Sequence, residues 1–338
     1  MITELDTTVR LLPEPPDELD YAWRSIRRED VAAMYDMLLA IEKADDRQVV
    51  DTLADVEREF DDPWSNPATD SLAAFRDDGS MAGFARTFLN PVVEEEHRCF
   101  MWLEAHPDHR AGGLGEFLLD WAEARARQRL NAVGDDLPRL MRFGLQDTQT
   151  DWIALAERRG YARVRYFYRM RRDLREPIPD VTLPDGIALR NFTPDLSKRV
   201  QDALNEAFRD HWSAEAISDE DWQQFFLQRT TFCPDLTFVA IDGDQVAGVA
   251  FNTVSPEEIA RRGVNEGWVA ELAVRRAWRK RGIATALLCA SMRAFESEGL
   301  DYATLGVDAE NLSGALRLYE RVGFRQVKRF IQFNQAVE

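Results

Sequence analysis

The same sequence landmarks occur twice in this chain of 338 residues, and this duplication constrains its fold more than any other feature. Three glycines of the first half recur in the same order in the second half, at offsets of 165, 169 and 163 residues. Self-similarity at a near-constant spacing is the signature of a repeated structural unit. The sequence therefore predicts two copies of one domain, each of ordinary domain size. The three pairs are Gly83 with Gly248, Gly113 with Gly282, and Gly160 with Gly323.

A proline-rich segment separates the two repeats. Pro177 and Pro179 stand one residue apart, and neither a helix nor a central strand can continue through such a pair. We therefore predict a first domain over residues 20–174 and a second domain over residues 186–338. Residues 1–19 contain three prolines and are expected to form a loose arm.

Each repeat shows the same order of predicted elements. A strand and helical stretches come first, followed by a hairpin, a strand that enters a glycine loop, a long helix, a strand, a short helix and a last strand. Asp-Gly turns at residues 78–79 and 242–243 mark the two hairpins. The predicted fold class is α/β (α+β), with a mixed, largely antiparallel sheet flanked by helices in each repeat.

A basic turn with one glycine joins a strand to a helix in the second repeat. Backbone N–H groups at a helix N-terminus lack intrahelical partners and carry positive partial charge, so they attract phosphate. Glycine lets a ligand approach the backbone closely, and the neighbouring cations add charge. The turn is therefore predicted to bind a pyrophosphate, although an ordinary turn with a solvated basic face gives a similar pattern. The predicted binding residues are Arg279, Lys280, Arg281, Gly282, Ile283, Ala284 and Thr285.

One acidic residue interrupts the apolar strand before this turn. Glu271 lies within the run Trp268–Val274, and alternation puts its side chain on the face of Ala273, opposite Leu272. A carboxylate in a partly buried cleft has a raised pKa and can accept the proton of an attacking amine. The alternative, a strand glutamate that points to solvent, fits the same pattern.

These segments resemble the coenzyme-binding regions of the GNAT acetyltransferase superfamily. The loop reads Arg-x-x-Gly-x-Ala from Arg279 to Ala284, and residues 311–324 are similar to the family segment Asn-x-x-Ala-x-x-Leu-Tyr-x-x-x-Gly-Phe. The resemblance covers nearly the whole chain and implies a GNAT fold in each repeat. It also implies acetyl-CoA as cosubstrate and transfer of its acetyl group to a primary amine.

The resemblance assigns roles to side chains of the second repeat. It implies that the Tyr319 hydroxyl protonates the coenzyme sulfur, although an aromatic that packs its helix on the sheet would look alike. Asn311 either touches the pantetheine arm or caps that helix. His211 and Trp212 lie in the region that forms the acceptor pocket in the superfamily. They either bind the amine, by hydrogen bond and cation–π contact, or pack a helix end.

In this superfamily the strand that carries the acid splays away from its neighbour. Splaying would leave backbone amides of the strand free for the acyl carbonyl and the pantetheine amides. By position, the expected donors after Glu271 are Leu272, Ala273 and Val274.

The first repeat lacks the two expected catalytic side chains. Trp102 stands where the second repeat has its strand acid, and Ala156 stands where it has the tyrosine. The glycine loop at residues 110–115 is intact and could still hold a pyrophosphate. Glu104 is a second acid on the strand, but we expect its offset to place it on the wrong face. The first repeat is therefore expected to be structural or to shape the ligand site, and the second to be catalytic.

Composition narrows the class of partner. The formal net charge of −18 disfavours nucleic-acid binding and is compatible with a cationic acceptor, although solubility alone would explain it. No apolar run is long enough to span a membrane and no signal peptide is evident, so a cytoplasmic protein is expected. Three scattered cysteines give neither a disulfide framework nor a zinc site, and no metal is expected.

The sequence thus predicts an N-acetyltransferase that moves an acetyl group from acetyl-CoA to a small-molecule amine, with Glu271 as base and Tyr319 as acid. The duplicated form is similar to the mycothiol synthases, but those have a glutamate near Trp268, so the resemblance does not give the acceptor. A non-catalytic acyl-CoA-binding or regulatory module and a protein or peptide acetyltransferase remain alternatives. Because two fused copies can replace a dimer, we expect a monomer.

Overall fold

The computed structural model of the chain describes residues 11–47, 52–90, 93, 95–209, 212, 216–310 and 314–337. The chain forms two compact units. One unit comprises the chain up to Arg165 together with the segment from Phe330, and the other comprises Tyr166–Arg329. No helix in the described ranges combines the length and the apolar character that crossing a bilayer requires.

The first unit is a mixed sheet of six strands flanked by helices. Its strand order is β1-β2-β3-β4-β5-β12, and all neighbours are antiparallel except β4 and β5, which are parallel. Its strands are β1 (Ala22–Arg24), β2 (Ser71–Phe75), β3 (Met81–Leu89), β4 (His97–Ala105), β5 (Arg139–Gln146) and the end of β12 (Arg325–Ala336). Its helices are α1 (Val31–Asp45), α2 (Leu53–Arg58), α3 (Pro67–Asp70), α4 (Leu114–Asn131) and α5 (Thr150–Arg158).

The second unit repeats this architecture. Its strand order is β6-β11-β10-β9-β8-β7, again antiparallel except for the parallel pair β10 and β11. Its strands are the end of β6 (Ala162–Asp173), β7 (Ile187–Asn191), β8 (Phe238–Asp242), β9 (Gln245–Thr253), β10 (Glu266–Val274) and β11 (Tyr302–Asp308). Its helices are α6 (Ser197–Phe208), α7 (Asp219–Asp221), α8 (Pro256–Arg262), α9 (Ile283–Ser297) and α10 (Ala315–Arg321). The predicted fold class is confirmed.

The compact units differ from the sequence repeats in their last strand. Residues 166–173 end the first repeat in sequence, yet they belong to the second unit, where they pair with β11. Residues 330–336 end the second repeat, yet they pair with β5 in the first unit. Each sheet is therefore completed by the closing strand of the other repeat. The boundaries at 20–174 and 186–338 describe the duplication, whereas the compact units divide at Arg165 and Arg329.

The paired glycines occupy equivalent places in the two units, which explains why they recur. A Cβ atom on Gly83 would lie 2.9 Å from the Glu104 carbonyl oxygen, and one on Gly248 would lie 2.7 Å from the Ala273 carbonyl oxygen. Real Cβ atoms do not approach so closely, so only glycine lets these strands pack as they do. The predicted internal duplication is thus reproduced in the backbone.

A gap opens in each sheet between its two parallel strands. In the second unit, β10 and β11 pair only from Glu266 with Tyr302 to Val269 with Leu305, although both strands continue beyond that point. In the first unit, the pairing of β4 with β5 likewise ends at Phe100, five residues before β4 ends. Among the described residues, the strand edge past this point has no strand partner, so its backbone can bind a ligand.

Two hydrophobic cores cover the two faces of the second sheet. On one face, residues of α9 such as Leu287 and Phe295 pack against Val269 and Leu305. On the other face, residues of α6 pack against Val249, Phe251 and Ala273. These two faces are called the α9 face and the α6 face below.

Candidate active site

A β-bulge in β10 sets the direction of the Glu271 side chain. The register with β9 pairs Val269 with Asn252 and then Glu271 with Phe251, so Ala270 is an extra residue. Val269 and Leu272 both pack in the core of the α9 face. Trp268 before the bulge and Glu271 after it are therefore both directed to the α6 face, although they are an odd number of positions apart in sequence.

Burial raises the pKa of the Glu271 carboxyl to about 7, and the charge of Arg229 opposes this shift. The cross-strand neighbour of Glu271 is Phe251, which is 1% exposed. Phe232 stacks on Phe251 at 4.4 Å and Phe226 meets it edge-on at 5.6 Å. The acid thus stands beside an aromatic cluster that excludes water, and this desolvation favours its neutral form. Of the two positions that the sequence allows for the Glu271 side chain, a cleft or solvent, this packing favours the cleft.

Tyr319 lies in α10 and is 7% exposed, within the core of the α9 face. Burial raises the pKa of its hydroxyl, and the negative charge of Glu271 raises it further. The two side chains are therefore near enough to interact electrostatically, although they belong to opposite faces of the sheet. A phenol with a raised pKa stays protonated at neutral pH and can donate a proton.

The backbone of β10 presents amides to the gap. Arg275 N donates to Ala247 O on β9 at 3.0 Å, so alternation directs the amide of Ala273 toward β9 as well. The amides of Leu272 and Val274 then face the opposite edge, where pairing with β11 has ended. Of the three predicted donors, these two are available to a ligand in the gap.

The glycine loop of the second repeat leads into α9 with an open N-terminus. The first helical bond runs from Ala286 N to Gly282 O at 3.0 Å, so the amides of residues 283–285 precede it. Gly282 caps the helix at φ 84° without a side-chain cap, and a Cβ there would meet no atom of the described residues within 4 Å. Lys280 and Arg281 beside it are exposed. Open amides, free space and positive charge together fit a pyrophosphate.

The Arg279 side chain folds back and donates hydrogen bonds to backbone carbonyls, so it does not extend from the loop. Its Nε donates to Val274 O at 3.0 Å, and its Nη2 donates to Ala207 O at 2.8 Å. In the first unit, Arg110 Nε makes the matching contact with Ala105 O at 3.4 Å. The first arginine of each loop therefore fixes the turn to the end of the preceding strand.

Two of the predicted ligand-binding side chains lie outside the described residues, namely His211 and Asn311. Trp212 is described and half-buried, with its ring 6.2 Å from that of Phe167 on β6. Met170 belongs to the core of the α9 face, so alternation along β6 directs Phe167 to the α6 face. Trp212 therefore stands on the face of the sheet to which Glu271 is directed.

The first unit lacks this pair of reactive groups. Register along β4 places Trp102 opposite Arg86, where β10 has Glu271 opposite Phe251. Tyr161 N donates to Ala156 O at 3.0 Å, as Phe324 N does to Tyr319 O, so Ala156 occupies the position of the tyrosine.

The prediction that Glu104 lies on the opposite face of the strand from Trp102 is wrong. Residues two apart on a strand share a face, and Trp102 Nε1 donates to Glu104 Oε1 at 3.3 Å. The carboxylate is instead engaged by Arg47, whose two Nη atoms bind it at 2.5 and 2.8 Å. Glu104 is 4% exposed, and this bidentate ion pair occupies both of its oxygens.

The first glycine loop differs from the second in shape and in charge. It enters the left-handed region at Gly112 and Gly113, whereas the second loop does so at Lys280 and Gly282. Next to it lies an open cavity of about 510 Å³ whose lining includes one arginine, Arg76, and four carboxylates, those of Glu18, Asp20, Asp77 and Asp78. Acids beside the loop oppose the binding of a phosphate.

Sequence reasoning missed Arg229 and the aromatic cluster around Phe251. Arg229 follows a π-helical turn formed by Trp222–Leu227. Turns of this kind are rare and often lie at functional sites, but no sequence motif marks them. The run Trp222 to Phe226, with three aromatic residues in five, is the one signal that could have drawn attention to this segment.

The raised pKa of Glu271 also predicts a stability effect. Its pKa of about 7 in the folded protein exceeds the ordinary value of 4.5 for a glutamate, so ionisation lowers the stability of the native state as pH rises from about 4.5 to 7. Glu271→Gln should therefore stabilise the protein by up to about 3 kcal/mol at pH 8 and by less than about 1 kcal/mol near pH 5. Urea unfolding of both proteins at the two pH values measures this. A variant that is less stable at pH 8 would contradict the buried setting of the acid.

Comparisons with known proteins agree with this geometry. The profile of the Acetyltransferase (GNAT) family matches residues 32–161 and again residues 197–324. The chain is 34% identical over 260 residues to a mycothiol acetyltransferase of Acidothermus cellulolyticus, which covers 74% of each protein. It is 32% identical over 265 residues to that of Thermobispora bispora, covering 77% of this chain and 82% of the relative.

Solved structures show the same tandem fold. A GCN5-related N-acetyltransferase from Sphaerobacter thermophilus superposes with a TM-score of 0.73 at 25% identity, covering 96% of this chain and 97% of that one. A tandem GNAT protein from the clavulanic acid biosynthesis pathway has a TM-score of 0.69 at 15% identity, covering 94% and 98%. Because both halves match the family profile, the chain belongs to the acetyltransferase (GNAT) family, as a tandem enzyme that uses acetyl-CoA as its acetyl donor.

Proposed function

We propose that the second unit transfers the acetyl group of acetyl-CoA to a primary amine of a small molecule, with Glu271 as base and Tyr319 as acid. The observation that carries this proposal is that the charge of Glu271, on the strand that borders the gap, acts on the hydroxyl of Tyr319. One is an acid whose pKa is raised to about 7, and the other is a phenol kept protonated by burial. A base with a pKa near the working pH combines availability with basicity.

The coenzyme supplies a thioester whose carbonyl carbon is attacked by the amine. Glu271 takes the proton that the amine loses as the N–C bond forms. The amides of Leu272 and Val274, directed into the gap, would donate to the carbonyl oxygen as it gains negative charge. Fixed donors in a water-poor site need no rearrangement when that charge develops, so they stabilise the transition state.

Tyr319 completes the proton balance. When the C–S bond breaks, the sulfur leaves with the electron pair and accepts the proton of the Tyr319 hydroxyl. The resulting phenolate takes a proton from solvent or from Glu271, whose charge acts on the tyrosine, and the hydroxyl is restored. The nucleotide end of the coenzyme would lie at the start of α9, where the open amides and Lys280 and Arg281 accommodate phosphate.

A small-molecule acceptor is favoured over a protein by the relatives. The matched bacterial proteins are mycothiol acetyltransferases, and this chain shares most of their length. The test is a screen of small amines with thiol release as readout and detection of the acetylated amine as confirmation. Saturable transfer to one amine class supports the proposal. Coenzyme binding without transfer to any amine or peptide would identify a binding module instead.

The pH profile should report the ionisation of Glu271. Because the base must be ionised, kcat/KM for the acceptor should fall as pH drops through about 7. Arg229 is the group whose charge acts on Glu271, and the Tyr319 hydroxyl, whose pKa is raised by burial, stays neutral over this pH range. In Glu271→Gln this limb should disappear, leaving only the titration of the amine. A wild-type profile that stays flat from pH 5.5 to 8 for an acceptor of low pKa would contradict Glu271 as the base.

A further inference from the structure

The acceptor side of Glu271 is bordered by a segment anchored on Phe251. Phe226 of the π-helical turn meets this ring edge-on, and Phe232 stacks on it. Phe232 N also donates to Arg229 O at 3.1 Å. The backbone of Arg229 is therefore held between two side chains that both contact the cross-strand neighbour of Glu271. Its position beside the acid follows from this packing.

Other arginines on the same face of the sheet are already neutralised. Arg169 donates through Nη2 to Glu266, and its guanidinium lies 4.3 Å from the ring centroid of Trp268. Arg171 donates through Nε to the same carboxylate at 2.9 Å. Arg169 is 1% exposed and is therefore closed to a ligand from solvent. These cations support the sheet and are not open to an acceptor.

Arg229 differs from them in both respects. Its side chain is exposed, and within the described part of the chain it has no hydrogen bond or ion pair. Phe225, in the π-helical turn that precedes Arg229 in the chain, is 41% exposed, which is high for so large an apolar side chain. Although the chain carries a net charge of −18, no carboxylate among the described residues forms an ion pair with this guanidinium. Its charge acts on Glu271 without forming an ion pair with it.

We propose that Arg229 binds an acid group of the acceptor, so that the enzyme acetylates amines that carry a carboxylate, such as amino acids and short peptides with a free carboxyl end. This inference rests on the proposed function of Glu271. Guanidinium and carboxylate match in shape and charge, and their hydrogen bonds are among the strong ones. Exposed Phe225 would pack against the apolar part of such an acceptor.

Charge placement explains why the acceptor would need both contacts. The ionised Glu271 attracts the amine but repels a carboxylate on the same molecule. Arg229 offsets that repulsion at the other end of the acceptor and fixes which end meets the thioester. A zwitterion bound in this way is oriented by two opposite charges, which positions its amine for attack.

The test is a comparison of paired ligands on the full chain. Amino acids and dipeptides, each paired with its carboxamide, are titrated calorimetrically into the protein loaded with CoA and are then assayed as acceptors with acetyl-CoA. We expect an acid to bind at least about tenfold more tightly than its amide, with the same preference in kcat/KM. Arg229→Gln should abolish this preference by raising KM for the acid, and Arg229→Lys should retain part of it. Comparing variant with wild type cancels the different basicity of the paired amines.

One control distinguishes the loss of a positive charge from the position of that charge. The pattern of outcomes distinguishes failure of this inference from failure of the proposed function. Arg190 is an exposed arginine on β7, so Arg190→Gln makes the same charge change elsewhere and should keep the acid preference. Transfer without any preference for acids, or an equal loss for acid and amide in Arg229→Gln, overturns the inference while the proposed function stands. Acid-selective binding that depends on Arg229 but leads to no transfer supports the carboxylate contact of Arg229, and it overturns the proposed function together with the acetylation of these acids. Absence of both binding and transfer overturns both.

Discussion

Replacing Glu271 by glutamine should lower kcat for amine acetylation by about 1,000-fold, within the range that a general base contributes. The change keeps the size of the side chain and removes its ability to take a proton. Tyr319→Phe should lower kcat by about 100-fold, because the sulfur would then leave without a positioned proton donor. Steady-state kinetics at pH 8 with a saturating acceptor measures both effects.

The control for these variants is coenzyme affinity. Neither side chain belongs to the loop expected to hold the nucleotide, so both variants should bind acetyl-CoA with the dissociation constant of the wild-type protein. As a matched variant in the first unit, Trp102→Phe changes the residue equivalent to Glu271 and should leave kcat unaltered. If both Glu271→Gln and Tyr319→Phe kept full activity, the proposed mechanism would be untenable.

Gly282→Glu should weaken the binding of acetyl-CoA by about 100-fold, which corresponds to about 2.7 kcal/mol. A carboxylate at the start of α9 would occupy the open space above the glycine and repel the pyrophosphate. Gly282→Ala separates the two causes, since it introduces only the strain of a Cβ at φ 84°. Its effect on affinity should be much smaller. Calorimetric titration gives all three dissociation constants.

Gly113→Glu is the matched control in the first unit. Gly113 also caps a helix with positive φ, at 91°, and a Cβ there would likewise meet nothing within 4 Å. The two substitutions therefore have similar consequences for folding. Since acidic residues already lie beside the first loop, Gly113→Glu should change acetyl-CoA affinity and turnover little. The opposite order of effects would mean that the first unit holds the coenzyme used in catalysis.

Sequence alone could predict the duplication and the elements of each repeat because both depend on local chemistry. Gly83 and Gly248 recur because a neighbouring strand passes too close for a side chain. Ala156 and Tyr319 likewise occupy equivalent positions, because the carbonyl of each accepts a hydrogen bond from the backbone amide five residues later at the end of its helix. Fixed spacing from such landmarks was sufficient to locate the strand acid and the helix tyrosine.

Features that depend on distant residues could not be predicted. The bulge at Ala270 shows only in the register of β10 with β9, and it is what aligns Trp268 and Glu271 on one face. The prediction for the face of Glu104 is incorrect, because the partner that engages its carboxylate, Arg47, is 57 residues away in sequence. The closing strands of the two repeats are exchanged. Because the repeats offer two similar pairing edges, the duplicated sequence does not show which edge each closing strand joins.

A crystal structure of the chain with acetyl-CoA tests the central claim most directly. The account predicts that the pyrophosphate accepts hydrogen bonds from the amides at the start of α9. The thioester should lie in the gap between β10 and β11, with its carbonyl carbon beside Glu271 and its sulfur within reach of the Tyr319 hydroxyl. A coenzyme bound elsewhere, with that gap empty, would contradict the assignment of the second unit as the catalytic one.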